Sequence, residues 1–521
     1  MANQLFARKP LEMLLEEMKG ENRLKRVLGP VQLSALGIGA IIGAGIFVAT
    51  GEAAHNIAGP ALMMSYVVAG ITCIFAALCY AEFASMVPVA GSAYTYAYAT
   101  LGELFAWIIG WDLVLEYAVG SATVANGWSG YFQSVLTKVG VSFPKILQEA
   151  PIVYNTTTGK FDLTGSFVNL PAIIIVTIVT AILVKGISES ASFNATMVGV
   201  KLAAVLFVIF VGAFYVNPAN WHPFAPYGWT GLSIFGHHVA GQADPSGAPL
   251  GMLAGAAIIF FAYIGFDSVS THTEEAKNPQ RDVPIGIIAS LLVCTVLYIA
   301  VVAVLTGMVK FNLIDTSAGV SDAFKQKGLG IAEVIIAIAG VAGITSVLLV
   351  MMLSGPRVFL AMARDGLVPK SFFGDVHPKF RTPWRSTILI GVFVCILTGF
   401  LPLGFLLHLT NIGTLFAFVI VCAAVLIMRK KYPDAERPFR CPWVPIVPIL
   451  GILSCLLLMF SLPGDNWLRL FVWLAIGLVI YFAYGRNHSV MAAYTANEIA
   501  KHGISPGGSL ARDIDPPNLK R

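Results

Sequence analysis

Charged residues are scarce in this sequence. Only 12% of its 521 residues are Asp, Glu, Lys or Arg, whereas soluble domains contain about 25%. Hydrophobic residues make up 57% of the chain, and the mean hydropathy is +0.78. This composition excludes a soluble enzyme and requires many membrane spans. Membrane topology then explains the net charge of +5, and we expect no nucleic-acid partner.

The usual motifs of catalytic and metal sites are also missing. The seven cysteines lie within or beside apolar runs without CxxC spacing, so we expect them to be core residues. The histidines form no HExxH pair, and the sequence contains neither a GxSxG nor a phosphate-loop motif. We therefore expect no enzyme activity, no cofactor and no metal site.

Long apolar runs dominate what is present. Twelve such runs predict twelve transmembrane helices of about 20 residues each. With both termini inside the cell, and with each charge near a span end counted in the adjoining segment, 25 Lys and Arg residues are cytoplasmic and 7 are external, while Lys201 lies within the fifth span. This asymmetry predicts a multi-pass inner-membrane protein with cytoplasmic termini. The predicted spans lie near 31–50, 60–87, 104–128, 168–186, 194–215, 249–271, 284–308, 330–362, 386–401, 405–428, 444–461 and 466–485.

Two of these spans contain residues that disrupt a helix. The first has four glycines within 37–45, and the sixth has Gly265 and Asp267 inside an apolar run. The two spans occupy matching positions if the chain divides into five spans plus five, which is typical of transporters built from inverted repeats. Free N–H groups at a broken helix suit a carboxylate and free carbonyls suit an ammonium, so an amino acid is the expected ligand. Close helix packing through Gly39 and Gly43 is the alternative.

Four motif blocks carry a family resemblance. They are 37–51 (GIGAIIGAGIFVATG), 80–96 (YAEFASMVPVAGSAYTY), 260–284 (FFAYIGFDSVSTHTEEAKNPQRDVP) and 355–369 (GPRVFLAMARDGLVP). At these blocks the chain resembles the amino acid–polyamine–organocation (APC) superfamily, and more closely bacterial members of its cationic amino acid transporter subfamily. The resemblance covers about residues 25–485.

The resemblance implies an all-α integral membrane protein with the LeuT-type fold. Interrupted helices 1 and 6 would begin two inverted repeats of five helices, and two further helices would follow. It also implies alternating access, and a small accessory membrane subunit is a possible partner besides lipid. The expected organisation is a cytoplasmic amphipathic segment at 1–30, repeats at 31–215 and 249–428, the last two helices at 444–485, and a cytoplasmic tail at 486–521.

The resemblance implies a substrate site on the two interrupted helices. The substrate carboxylate would bind the N–H groups around Ala44 and Gly45, next to Ile41. The ring of Phe261 would cover the substrate as a gate, although a core aromatic is equally compatible with the sequence. The substrate ammonium would bind backbone carbonyls of the sixth span near Phe261, Ala262 and Ile264.

Charged residues inside the predicted spans suggest how transport is coupled. Lys201 resembles the lysine that replaces a sodium ion in this subfamily, which implies sodium-independent transport and a possible proton exchange. Snorkelling to the membrane surface is the alternative. Glu116 would face the transport path and couple to Lys201, with Asp112 one turn earlier, or the two acids would form a structural polar seam.

Other residues are expected to serve as gates or structural elements. Gly43 permits the first break, and Asp267 would cap or orient the broken sixth helix. Glu82, Glu274 and Arg357 are candidates for pairing at the inner gate.

The substrate prediction depends on the eighth and third spans. Met351 offers no acceptor for a cationic side chain, and Gly120 leaves space. Small or medium neutral L-amino acids such as alanine are therefore expected. Arginine or lysine transport and amino acid/polyamine exchange are the alternatives. A channel is the alternative of a different class, but sparse intramembrane charge argues against it.

Overall fold

The chain folds mainly into long helices. A computed structural model describes residues 5–9, 28–86, 92–155, 160–186, 191–271, 276–431 and 433–492. The main helices, labelled in chain order, are α1 Pro30–Ile41, α2 Leu62–Met86, α3 Ser92–Thr100, α4 Glu103–Lys138, α5 Leu170–Lys185, α6 Ala191–Ala213, α7 Met252–Ile259, α8 Pro279–Met308, α9 Gly319–Gln326, α10 Gly330–Arg364, α11 Trp384–Phe400, α12 Leu403–Lys431, α13 Ile446–Met459 and α14 Gly464–Ile480.

The helices have the length and composition of a membrane protein. Within the described ranges, seven helical stretches are long and apolar enough to cross a membrane: Pro30–Met86, Glu103–Lys138, Thr196–Ala213, Pro279–Met308, Gly330–Arg364, Leu403–Lys431 and Gly464–His488. Four apolar helices of 10–17 residues accompany them: Leu170–Lys185, Met252–Tyr263, Trp384–Phe400 and Ile446–Met459. Large apolar side chains such as Phe210 and Leu453 are exposed on the outside, where lipid would cover them. The chain is thus a mostly helical, multi-pass membrane protein.

Helix packing brings α1, α4, α8, α10 and α12 into the centre of the protein. α4 packs along α10 and α12, while α8 packs along α1 and α2. Small residues allow these close approaches: a Cβ added to Gly37 of α1 would lie 2.5 Å from the Ser290 hydroxyl of α8. α4 continues to Lys138, beyond the predicted end at residue 128, because apolarity marks the part of a helix within lipid rather than its last turn.

Two small sheets lie in the long loops. β1 Ile152–Asn155 pairs antiparallel with β2 Lys160–Leu163. β3 Gly231–Ile234, β4 His237–Ala243 and β5 Pro249–Leu250 form the second sheet in that order. The all-α prediction did not include these two sheets, although the protein is mostly helical. Phe235 and Gly236 both adopt positive φ between β3 and β4, which is the geometry of a tight hairpin turn.

Residues 5–9 contact the start of α4 and the residue that follows α10. The Glu103 N–H donates to the Ala7 carbonyl at 3.0 Å, and the buried Lys9 side chain pairs with Asp365 at 2.9 Å. The Val490 N–H also reaches the Asp365 carbonyl, at 3.0 Å. Three predicted features lie outside the described residues: most of the amphipathic segment, Glu274 and the tail beyond residue 492.

Glu82 anchors the segment after α12 onto α2. Its carboxylate accepts two bonds of 2.8 Å from Arg429, and Arg437 lies at 3.2 Å. The Cys441 N–H donates to the same carboxylate at 2.8 Å. Arg357, the other predicted gate residue, is exposed on α10 and is not among these partners.

Replacing Glu82 with glutamine should lower the free energy of unfolding by about 3 kcal/mol, because the buried guanidinium of Arg437 and the partly buried guanidinium of Arg429 lose their counter-ion. Thermal unfolding in detergent measures this change. Asp375→Asn is the matched control: its pair with Arg385 is more than one-third exposed on both sides, so a loss below about 1 kcal/mol is expected. Equal losses in the two variants would contradict the anchoring role.

Candidate functional site

The first helix is interrupted where its glycines predict a break. α1 ends at Ile41, Ile42 adopts an extended ψ of 108°, and a wider helical turn, Gly45–Ala49, continues the chain. The N–H groups of Ala44 and Gly45 stand at the start of this second segment, where a helix has no intrahelical partner for them. This end can therefore donate hydrogen bonds to an anion.

A second interruption follows α7. The chain tightens into the turn Phe260–Tyr263, and Ile264 is then extended with ψ of 129°. Gly265 has φ of +124°, and a Cβ there would lie 2.8 Å from the Ala40 carbonyl oxygen. Only glycine suits this position, both for its φ and for the close approach to α1. The Asp267 carboxylate accepts the Gly265 N–H at 3.2 Å, which fits its predicted orienting role.

The two interruptions touch each other. A Cβ added to Gly45 would overlap the backbone of Ala262, and one added to Gly43 would overlap the side chain of Val347. The glycines thus permit close packing of the two segments as well as the break in the first helix.

Tyr298 of α8 connects the two broken ends. Its hydroxyl lies 2.7 Å from the Ile41 carbonyl and 3.1 Å from the Ala262 carbonyl. Since a hydroxyl has one proton to donate, the two carbonyls share it. A substrate ammonium at Ala262 would compete with Tyr298 for that carbonyl.

Replacing Tyr298 with phenylalanine should lower the free energy of unfolding of the ligand-free protein by about 1–2 kcal/mol, because buried carbonyls lose their donor. The stabilisation by substrate should be at least as large as in the unmodified protein, because the ammonium no longer competes for Ala262. Thermal unfolding with and without ligand measures both effects, with the exposed Tyr215→Phe as control. Loss of the substrate effect would contradict this account.

Lys201 points from α6 to the end of α1. It is 2% exposed, and its ammonium donates to the Gly39 carbonyl at 2.6 Å. Its stem packs beside Gly343 of α10. The side chain therefore does not snorkel to the surface. A positive charge at the carboxyl-terminal end of a helix is stabilised by the helix dipole and by the free carbonyls there.

Glu116 has a different partner from the predicted one. Its carboxylate accepts a 2.6 Å bond from Arg469 of α14 and a 3.3 Å bond from the Gly413 N–H of α12. Lys201 instead bonds to Gly39, so the structure does not bring the two predicted coupling residues into direct contact.

Gly120 and Met351 do meet. A Cβ added to Gly120 would lie 3.4 Å from the Met351 sulfur and 3.5 Å from the Thr410 methyl group. Met351 is 5% exposed and Phe261 is 3% exposed. The candidate side-chain pocket is thus apolar and closed to solvent.

A cavity of about 960 Å³ opens elsewhere, between α4, α12 and the loops that carry the sheets. Asn126, His408 and Asp244 are among its lining residues. None of the lining residues within the described ranges belongs to the predicted substrate site. The candidate site therefore lies apart from this cavity.

Four polar residues that contact the interrupted helices or other predicted residues were not predicted by the sequence. Asn411 donates to the carbonyls of Ala257 and Ile258, at 2.8 and 2.7 Å, near the end of α7. The others are Tyr298, Arg469 and Tyr117, whose hydroxyl lies 3.3 Å from Asp267. The available signal was the presence of a polar group inside an apolar run, which requires a partner.

Comparison with known proteins agrees with a transporter. The family described as "Amino acid permease" matches residues 28–466. The methylthioribose transporter of Bacillus subtilis (strain 168) is 45% identical, covering 94% of this chain and 99% of the relative. The branched-chain amino acid permease of the same organism is 48% identical with the same coverage.

A human relative extends the same similarity. Cationic amino acid transporter 4 of Homo sapiens is 34% identical over 91% of this chain and 89% of its own length. These relatives carry the names of transporters and permeases rather than enzymes. The chain belongs to the amino acid permease family of the APC superfamily and is a transporter.

Proposed function

We propose that the protein carries neutral L-amino acids across the cell membrane by alternating access, without sodium and coupled to protons. The transport unit comprises inverted repeats at 31–215 and 249–428 in a twelve-span LeuT-type arrangement, with spans eleven and twelve at 444–485. Both termini lie in the cytoplasm. The cytoplasmic segments are residues 1–30 and 486–521. Association with a small accessory membrane subunit is a further prediction.

The meeting of the two interrupted helices is the observation that carries this proposal. One break has N–H groups at Ala44 and Gly45, and the backbone of Ala262 in the other break lies against Gly45. The Ala262 carbonyl accepts from the Tyr298 hydroxyl at 3.1 Å. A ligand with a carboxylate beside an ammonium satisfies both kinds of group at once. Lys201 at the end of α1 supplies a fixed positive charge, which makes sodium unnecessary.

The apolar pocket favours a neutral substrate side chain. Met351 and Gly120 offer no acceptor for a guanidinium or ammonium group, whose burial without one is costly. One relative is named a branched-chain amino acid permease, which supports neutral substrates. We propose substrates whose side chains range in size from that of alanine to that of leucine. Because the human relative is named a cationic amino acid transporter, arginine and lysine are the alternative substrates. Amino acid/polyamine exchange is a second alternative, and it would show counterflow that does not depend on pH.

Thermal unfolding with amino acids in sodium-free buffer tests the proposal. Stabilisation should follow site occupancy and occur with alanine, valine or leucine. Methylthioribose, which lacks the carboxylate and ammonium pair, should compete poorly. Stabilisation by arginine and lysine alone would overturn the neutral pocket, and stabilisation by methylthioribose alone would overturn the amino acid site. Continuous conductance without saturation would favour a channel.

Replacing Gly120 with alanine tests the pocket by size. The new methyl group makes only ordinary van der Waals contacts with Met351 and Thr410, so the fold should be retained. It should weaken leucine binding by about tenfold relative to alanine, since it removes volume that a larger side chain needs. Competition against radiolabelled alanine measures the ratio. Met351→Ala should strengthen leucine binding relative to alanine binding. An unchanged ratio of leucine to alanine binding in both variants would mean that the substrate side chain binds elsewhere.

A further inference from the structure

A buried charged cluster connects α4, α12 and α14. Arg469 of α14 donates to one oxygen of Glu116 at 2.6 Å. Asp112, one turn earlier on α4, is 1% exposed. Neither of its carboxylate oxygens has a hydrogen-bond partner among the described residues.

The two acids lie beside the same glycine. A Cβ added to Gly413 of α12 would overlap Asp112 and would lie 2.6 Å from the Glu116 oxygen. The groups that face Asp112 are therefore Glu116 on its own helix, Arg469 on α14 and the backbone of α12. Trp111 closes the neighbouring space: its indole and that of Trp473 each donate to the other's carbonyl at 2.9 Å.

One cation cannot neutralise two carboxylates. Arg469 bonds directly to Glu116, and this charge-assisted hydrogen bond favours the ionised form of Glu116. An ionised Asp112 would be a second buried negative charge without a hydrogen-bond donor, which is energetically unfavourable. A proton on Asp112 removes that cost, whereas the same proton on Glu116 would break the only direct ion pair described within the cluster.

We propose that Asp112 binds and releases the transported proton, while the Glu116–Arg469 pair holds a constant charge beside it. The assignment rests on the proton coupling in the proposed function. While Asp112 is buried, the proton is bound to one of its carboxylate oxygens. Release breaks this O–H bond and passes the proton to water, in a conformation that admits water to the cluster.

Two variants separate Asp112 from Glu116. In sodium-free proteoliposomes, Asp112→Asn should retain counterflow and substrate-induced stabilisation but lose about tenfold or more of pH-driven accumulation. The double variant E116Q/R469Q removes the ion pair, leaves Asp112 in place and should retain pH-driven accumulation. The reverse pattern would assign the proton to Glu116 and overturn the proposal.

A measurement on the unmodified protein gives a second test. Dicyclohexylcarbodiimide reacts with protonated carboxyl groups in apolar surroundings, and peptide mass spectrometry locates the adduct. Labelling should occur at Asp112 rather than at Glu116 and should fall as the pH is raised. Labelling of Glu116 alone, or of neither acid, would overturn the assignment even if a variant did not fold. Absence of pH-driven accumulation by the unmodified protein would instead overturn the proton coupling in the proposed function.

Discussion

Lys201→Met is expected to reduce sodium-free uptake by about tenfold or more, while the protein still reaches the membrane. The ammonium of Lys201 is buried and donates to the Gly39 carbonyl at 2.6 Å. Methionine keeps much of the side-chain volume but removes the charge and the donor. The carboxyl-terminal end of α1 then loses the cation that stabilises it, and a buried carbonyl is left unpaired.

Uptake of radiolabelled alanine, corrected for the amount of protein in the membrane, measures this effect. Lys185→Met is the matched control, because Lys185 is exposed at the end of α5. Substrate-induced thermal stabilisation separates a binding defect from a transport defect. Uptake of the Lys201 variant equal to that of the control would show that this charge has no part in transport.

Gly45→Ala should abolish substrate binding. The added methyl group would overlap the Cα and Cβ of Ala262, so relief requires movement of backbone rather than of a flexible side chain. Such overpacking costs about 1–3 kcal/mol or more. It would also separate the N–H groups of one break from the carbonyls of the other, and a zwitterionic ligand needs both at a set distance.

The control for Gly45 is Gly199→Ala on α6, where an added Cβ meets nothing within 4 Å. This variant should bind and transport like the unmodified protein. The Gly45 variant should show no stabilisation by alanine or leucine at concentrations that saturate the control. Unimpaired binding by the Gly45 variant would mean that the substrate does not lie between the two breaks.

The sequence indicated the helix interruptions because the residues responsible are local. The glycines within 37–45 and the Gly265–Asp267 stretch disrupt a helix whatever its neighbours are. The two breaks occur at or next to these residues. The burial of Lys201 could be inferred only through the family resemblance. Its bond to Gly39 joins residues far apart in the chain, and neither hydropathy nor periodicity encodes such a partner.

The partner of Glu116 shows the limit of this reasoning. The position of a residue along its own helix gives its depth but not the neighbouring helix that it faces. Arg469 is near the start of α14 and resembles an interfacial anchor in sequence, yet it pairs with Glu116 across the interface with α4. The sheets were missed for a related reason, since short strands in long loops have little periodicity.

The convergence of two distant segments on Asp365 makes that residue a convenient place to follow the transport cycle. Lys9 and the Val490 backbone both bond to Asp365, directly after α10. Met351 lies on the same helix, roughly 20 Å away at 1.5 Å per residue. Because both segments are bonded to Asp365, a displacement of this end of α10 that breaks one of the two bonds would change the separation between spectroscopic labels at Ala7 and Val490.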